Sequence, residues 1–252
     1  MKKIVALLLV LLLTLPLFGC SRENVVLDEI KEYQVTSEIH SLDISISAAD
    51  FTIEYRDTFG VESNLKYLSV TEKSGVLTIV DEPKGNANYN NAKLTLYIPR
   101  VTVFDDVSIE TGAAKMTAET LSTASLRFRL GAGDVSIEQL NVTSHADIEG
   151  GAGEITIRGG MLNNLSLEMG VGELNMTAAL LGRNELDFGI GESNLTVLGN
   201  KNDYRIDIEK GLGAVTVNGE KVTDFGTSGN GQHSLEIETG VGAVNLKFQE
   251  TE

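Results

Sequence analysis

The sequence predicts an all-β fold, a single-stranded parallel β-helix (solenoid) with coils of about 19–20 residues and a less regular β N-terminal part. Three observations predict it. Glycine pairs recur at Gly131/Gly133, Gly151/Gly153, Gly170/Gly172, Gly189/Gly191, Gly211/Gly213 and Gly240/Gly242. First glycine to first glycine, the spacings are 20, 19, 19, 22 and 29. Self-similarity at a period near 20 is the signature of a solenoid. Apolar and polar residues alternate on both sides of each pair, as in Leu165, Leu167, Met169 before one and Leu174, Met176 after it, which is the period of a half-buried strand. The chain also has 26 Gly but only three Pro in 252 residues, without collagen's three-residue repeat, a balance that suits tight turns between strands.

Met1-Lys2-Lys3 is positive, and residues 4–13 form an apolar run too short to span a bilayer comfortably but fitting a secretory leader. Leu17-Phe18-Gly19-Cys20 resembles a bacterial lipobox, with Phe18 bulkier than usual. The resemblance implies that residues 1–19 are a lipoprotein signal peptide. It also implies that Cys20 becomes the lipidated, palmitate-bearing mature N-terminus, because two acyl chains hold a protein on a membrane. Residues 20–33 read as the lipidated Cys and its tether. No second apolar run approaches spanning length.

Residues 34–252 are expected to form the β-helical domain, with an irregular start over 34–110 and regular Gly-x-Gly coils over 111–248. In the irregular part, residues 42–47, 68–71, 76–80 and 94–98 alternate or are β-branched, Ser74-Gly75 is a hairpin turn, and residues 81–91 are an exposed loop. Gly112-Ala113-Ala114 and Ser47-Ala48-Ala49 are degenerate copies of the glycine corner. In the regular part, the second residue after each pair is apolar (Val135, Ile155, Leu174, Val215, Val244), with Ser193 the exception, and the next is small and polar. Leu121, Leu140, Leu162, Leu181 and Leu198 recur as corner residues. Stacked about 4.8 Å apart, six to eight such coils make a rod of roughly 30–40 Å. Residues 219–233 are read as an inserted loop that stretches the last spacing.

Composition bounds the function. Beyond residue 19 there are 18 basic against 36 acidic side chains, net −18. That excludes nucleic acid as a partner and docking on anionic headgroups through protein charge. One Cys can form neither an internal disulfide nor a thiolate zinc cluster. His40, His145 and His233 are isolated, with no metal spacing and no nucleophile signature.

The candidate chemistry is a row of carboxylates directly after the glycine pairs: Asp134, Glu154, Glu173 and Glu192. On consecutive coils these would repel, and Ca²⁺, which takes several oxygen ligands, would relieve the repulsion. The structural alternative is a solvated edge. Ile155 stands where a calcium β-roll requires Asp, and no cofactor is expected. The Ser/Thr/Asn column between the apolar positions reads as a structural ladder, although a sugar-binding stripe has the same composition.

Gly75-Val-Leu-Thr-Ile79, Leu94-Thr-Leu-Tyr-Ile-Pro99, the Gly-x-Gly-Asp/Glu-aliphatic-polar-aliphatic units and the leader together resemble the bacterial "putative adhesin" family of β-strand-repeat lipoproteins. Autotransporter-head and toast-rack domains are similar in look. The resemblance covers residues 39–248 and implies a non-enzymatic adhesion or interaction rod, lipid-anchored to the cell membrane on its extracytoplasmic side. An extracellular or envelope protein or a glycan would be its partner. One alternative is an envelope-stress or regulatory accessory that binds a membrane-protein partner. The other is a polysaccharide-degrading β-helix enzyme using the carboxylate row beside Arg127, Arg129 or Arg158.

Overall fold

The structure, a computed structural model, describes residues 27–82, 88–223 and 226–250. In chain order the strands are β1 (Lys31–Gln34), β2 (Ser41–Ile46), β3 (Asp50–Tyr55), β4 (Gly60–Ser63), β5 (Leu68–Lys73), β6 (Val76–Asp81), β7 (Lys93–Ile98) and β8 (Phe104–Ala113). They continue as β9 (Lys115–Ile157), β10 (Gly160–Asn163), β11 (Leu165–Leu181), β12 (Arg183–Leu198), β13 (Tyr204–Val217), β14 (Glu220–Lys221), β15 (Gly226–Ser228) and β16 (His233–Gln249). A single 3-10 turn, Lys201–Asp203, is the only helical element among the described residues.

The fold is the predicted parallel β stack. Each coil pairs with its equivalent on the next level in strict register. Ser166–Met169 lie on Glu185–Phe188, and Val171–Ala178 lie on Ile190–Val197. β9 is long because more than two windings of chain continue through the glycine corners without losing strand geometry. The inward residues follow the period-two pattern: Leu167, Leu174 and Met176 are buried, and Leu186 and Leu195 meet them from the next level. Four of the largest fully buried side chains are the aromatics Phe51, Phe104, Phe128 and Tyr204, spread along the axis.

The order of levels departs from the order of the sequence at both ends. At the N-terminal end, β2 pairs in parallel with both β6 and β8, and β3 with both β7 and β9. The second coil in sequence is therefore the outermost, and the first lies inside it. At the C-terminal end β16 pairs with β12 on one side and β13 on the other. The last coil in sequence is thus not the terminal one; β13 is. Residues 233–249 return into a slot between coils already formed by residues 183–217. Among the described residues the stack has nine levels, a rod of about 40 Å at the spacing of paired strands.

Antiparallel segments close both ends. β5 covers β6 through the Ser74-Gly75 turn, both residues having positive φ, and β4 covers β7 with β1 outside it. β14 and β15 lie antiparallel on β13. An uncovered strand edge is a template for uncontrolled pairing, and these pieces occupy much of it. Two expectations change here. The tether does not run to residue 33, because Lys31–Gln34 is a strand with Tyr33 half-buried against the core. The 219–233 insertion is not only loop, since it supplies the two covering strands. Of the expected 81–91 loop, residues 83–87 lie outside the described residues.

Among the described residues no fully buried side-chain nitrogen or oxygen lacks a hydrogen-bond partner. Asn184, fully buried, accepts from the Leu165 backbone N–H at 3.2 Å and donates to the Ser234 carbonyl at 3.0 Å, tying β16 to the levels beneath it. Thr123 donates to the Ser125 carbonyl at 2.8 Å. In the N-terminal cap, Tyr89 donates its hydroxyl to Asp81 at 2.8 Å, and burial pushes the phenol up to about 12 from 10.0, with Asp81 adding to the rise. The folded chain therefore keeps a proton that the unfolded chain gives up near pH 10. Its stabilising effect is complete below pH 10 and is lost as pH climbs toward about 12. Urea melts through that window are expected to show falling stability, and Tyr89→Phe to flatten the fall in part. The remaining slope belongs to Tyr97 and Tyr204, both also raised by burial.

Ser193, the one break in the apolar column, is buried at 5% exposure in register with Leu174 and Val244. It borders a small half-open crevice beside Met169 and Phe188. Ser193→Val is expected to raise stability by about 1 kcal/mol in thermal or urea melts, the usual gain for filling such a space.

Candidate interaction surface

The site is built from the glycine corner outward. The first glycines, Gly131, Gly151, Gly170, Gly189, Gly240 and Gly211, stack so that a Cβ on any of them would meet main-chain oxygen of the neighbouring level. At Gly170, for example, it would lie 2.6 Å from the Gly151 carbonyl oxygen. The second glycines, Gly133, Gly153, Gly172, Gly191, Gly242 and Gly213, form a second such column. The corner is therefore naked backbone, and the residue between the glycines is its only side chain.

The carboxylate row after the corner is in register: Glu154, Glu173 and Glu192 face one another on consecutive levels. Gly133 under Gly153 places Asp134 one level below them. Beyond Glu192 the row ends in Ala243 and Ala214. The neighbouring polar column supplies donors: Asn175 gives its amide N–H to Glu173 at 2.8 Å and to Glu154 at 3.4 Å, and Thr156 donates to Glu154 at 2.8 Å. Asn194 donates to Asn175, and Asn245 to Asn194, at 3.1 and 2.9 Å. Amide hydrogens aimed at the carboxylates are the wrong polarity for a cation shell. Among the described residues no group of three or more His, Cys, Asp or Glu is placed to hold a metal ion. The Ser/Thr/Asn column forms a side-chain hydrogen-bond ladder from Asn175 through Asn194 and Asn245 to Thr216, and again between Thr117 and Thr52, whereas Thr156 and Ser136 bond Glu154 and Arg158 instead.

The arginines considered for catalysis are not beside this row. Arg127 and Arg129 reach Asp147 at 3.6 and 3.4 Å, and Arg129 also pairs with Glu149. Arg158 bonds Glu138 and Ser136 at 2.8 and 2.6 Å. His40, His145 and His233 fall on separate levels. His40 is 3.9 Å from Asp105, and His233 accepts from the Gly182 N–H at 3.0 Å. Cys20 lies outside the described residues.

A second acidic column was missed in the sequence. Two residues before each glycine pair, Glu149, Glu168, Asp187, Glu238 and Glu209 stand in register on five successive levels. The signal was available as an acidic residue at a fixed offset from the glycines. Neighbours at strand spacing repel by about 1 kcal/mol in a water-like dielectric. The Arg129 pair relieves this at Glu149, whereas Glu168, Asp187, Glu238 and Glu209 have no hydrogen-bond or ion-pair partner among the described residues. Between this column and the first glycines runs a groove of about 530 Å³, and a hollow of about 280 Å³ carries it on past Glu185 and Glu236.

Level upon level of parallel coils with a bare glycine corner and ordered polar columns defines a β-solenoid scaffold. The chain belongs to the Toastrack DUF4097 family, whose profile matches residues 31–247. A solved "putative adhesin" from Bacteroides fragilis shares the fold at 15% identity, with a TM-score of 0.55 over 87% of this chain and 96% of that one. A "putative cell adhesion protein" from Clostridium sporogenes aligns over 88% of this chain and 99% of its own at 17% identity, with a TM-score of 0.37. A "putative lipid binding protein" from Parabacteroides distasonis aligns over 89% and 96% at 14% identity, with a TM-score of 0.34. Among curated proteins none matches this sequence.

Proposed function

We propose that the chain is a membrane-anchored surface lipoprotein that acts as a non-enzymatic adhesion and interaction rod. The observation that carries this reading is the repeated exterior: the same outward positions recur on every level and present long columns of like side chains rather than one convergent pocket. The word used for the Bacteroides fragilis protein, adhesin, agrees with it. Six residues separate Cys20 from Leu27, which already packs against the core, a reach of roughly 20–25 Å fully extended. So short a tether also favours the accessory reading, a partner embedded in or lying on the same membrane.

The test is in-cell photocrosslinking from outward positions of β11 and β12, in the intact chain and in Cys20→Ala. Acyl labelling of Cys20 and crosslinks to extracellular protein or glycan only in the anchored form are the expected result. Enrichment of one integral membrane protein instead would move the accessory reading ahead. An unlabelled Cys20, with the chain free in the medium, would end the anchored reading.

A further inference from the structure

Four branched aliphatic side chains stand in register at the apex of the corner on the last four levels: Val171, Ile190, Val241 and Leu212. They are the residues between the paired glycines, with 52, 56, 48 and 79% of their surface exposed. The glycines on either side carry nothing that could cover them, and the three levels next toward the N-terminus place only alanine there, Ala113, Ala132 and Ala152. Single exposed aliphatics need no explanation, but a continuous ridge of them on a soluble domain marks an interaction surface.

Charge says what kind of partner fits. On one side the ridge is flanked by the unpaired column Glu168, Asp187, Glu238 and Glu209, and on the other by Glu173 and Glu192. The same column is neutralised internally where Arg129 meets Asp147 and Glu149, and there the apex is alanine. Ridge and uncompensated charge thus coincide on the same levels. A second copy of this chain would bring the same carboxylates against them, and an anionic bilayer would be repelled likewise.

We infer that this ridge docks a basic protein segment with aliphatic side chains along its middle and Lys or Arg on its flanks. The aliphatics lie on Val171, Ile190, Val241 and Leu212, and the cations settle on the two carboxylate rails. Lysine stems add apolar cover while their ammonium groups reach the rails. The inference rests on the interaction-rod reading and names the face and the chemistry of its partner.

The test uses the full chain in neutral detergent micelles and fluorescent peptides of alternating Lys–Val, Lys–Ser and Glu–Val, followed by anisotropy at low and physiological salt. Lys–Val is expected to bind, Lys–Ser about tenfold more weakly, and Glu–Val not at all. Ile190→Ser with Leu212→Ser should bring Lys–Val down to the Lys–Ser level. Asp187→Asn with Glu238→Gln should weaken both basic peptides and flatten the salt dependence. All four positions face solvent, so an unchanged melting temperature shows that the fold is intact. Equal binding of Lys–Val and Lys–Ser, indifferent to the ridge variant, would overturn the proposal. So would ridge-dependent dimers in sedimentation, or ridge-dependent binding to phosphatidylglycerol vesicles. Peptide binding through the ridge without any surface capture in cells would sink the adhesion reading and leave this one standing. Cell adhesion untouched by the ridge variant would sink only this one.

Discussion

A chain stopped after Gln232 loses two levels of the rod, not one. Leu235, Ile237, Val244 and Leu246 go with the deleted segment, all buried to 3% exposure or less. Tyr204, Ile206, Ile208 and Val215 of β13 then have no level beneath them, since β16 supplies their parallel partner. Full burial of an aliphatic or aromatic side chain contributes about 1.5–3 kcal/mol, so the combined loss is on the order of 10 kcal/mol, comparable to the whole stability of an ordinary domain. Hydrogen exchange is the measurement. Amides of residues 204–217, protected in the full chain, should exchange freely in the truncated one. A shorter chain stopped after Gly199 should melt no lower, because it ends cleanly on β12. Protection of 204–217 in the longer fragment would mean that β13 slides onto β12 and that the slot is not specific.

Gly191→Ala should be nearly as damaging. Gly191 has φ +150, and a Cβ there would overlap the main chain of Gly172 on the level beneath. Gly242 stacks on Gly191 from above in the same way. The levels cannot part to admit a methyl, because parallel hydrogen bonds on both sides of the corner hold their separation. Backbone strain and overpacking each cost about 1–3 kcal/mol, together roughly 3–5. For a chain of this size that lowers Tm by about 10–15 °C at 2–4 °C per kcal/mol. Gly219→Ala is the comparison: φ is +82 there but nothing lies within 4 Å of the added carbon, and only about 1 kcal/mol is expected. Equal losses at the two positions would show that stacking is not what the glycines serve.

The coil, its length and its inward columns were readable because a parallel stack repeats one set of contacts, and the sequence repeats with it. The order of the coils was not. Ile208, Ile237 and Leu186 occupy equivalent inward positions on adjacent levels, so the hydrophobic pattern is satisfied by any permutation. The uneven spacings of 22 and 29 were the trace of the exchange, but they read equally well as an ordinary insertion. Asn184, whose side chain fixes the exchanged level, is indistinguishable in sequence from the outward asparagines. Of the site, the carboxylate row after the glycines was legible by its offset. The unpaired column before them was hidden by Arg129, which stands at the same offset before Gly131. The aliphatic ridge was hidden because Val, Ile and Leu in a strand are read as core, and only the corner turns them outward.

The slot that β16 fills also sets a timetable. A polypeptide emerges N-terminus first, and a solenoid wound in sequence order can add each coil as it appears. Here levels up to β12 can form on schedule, but β13 must wait, with the β12 edge open, until residues 233–249 arrive. Completion is therefore a single late event joining segments some fifty residues apart, as in the pairing of Leu186 with Ile237, and such long closures are slow. The rod reaches its finished state only after residues 233–249 have left the machinery that delivers them.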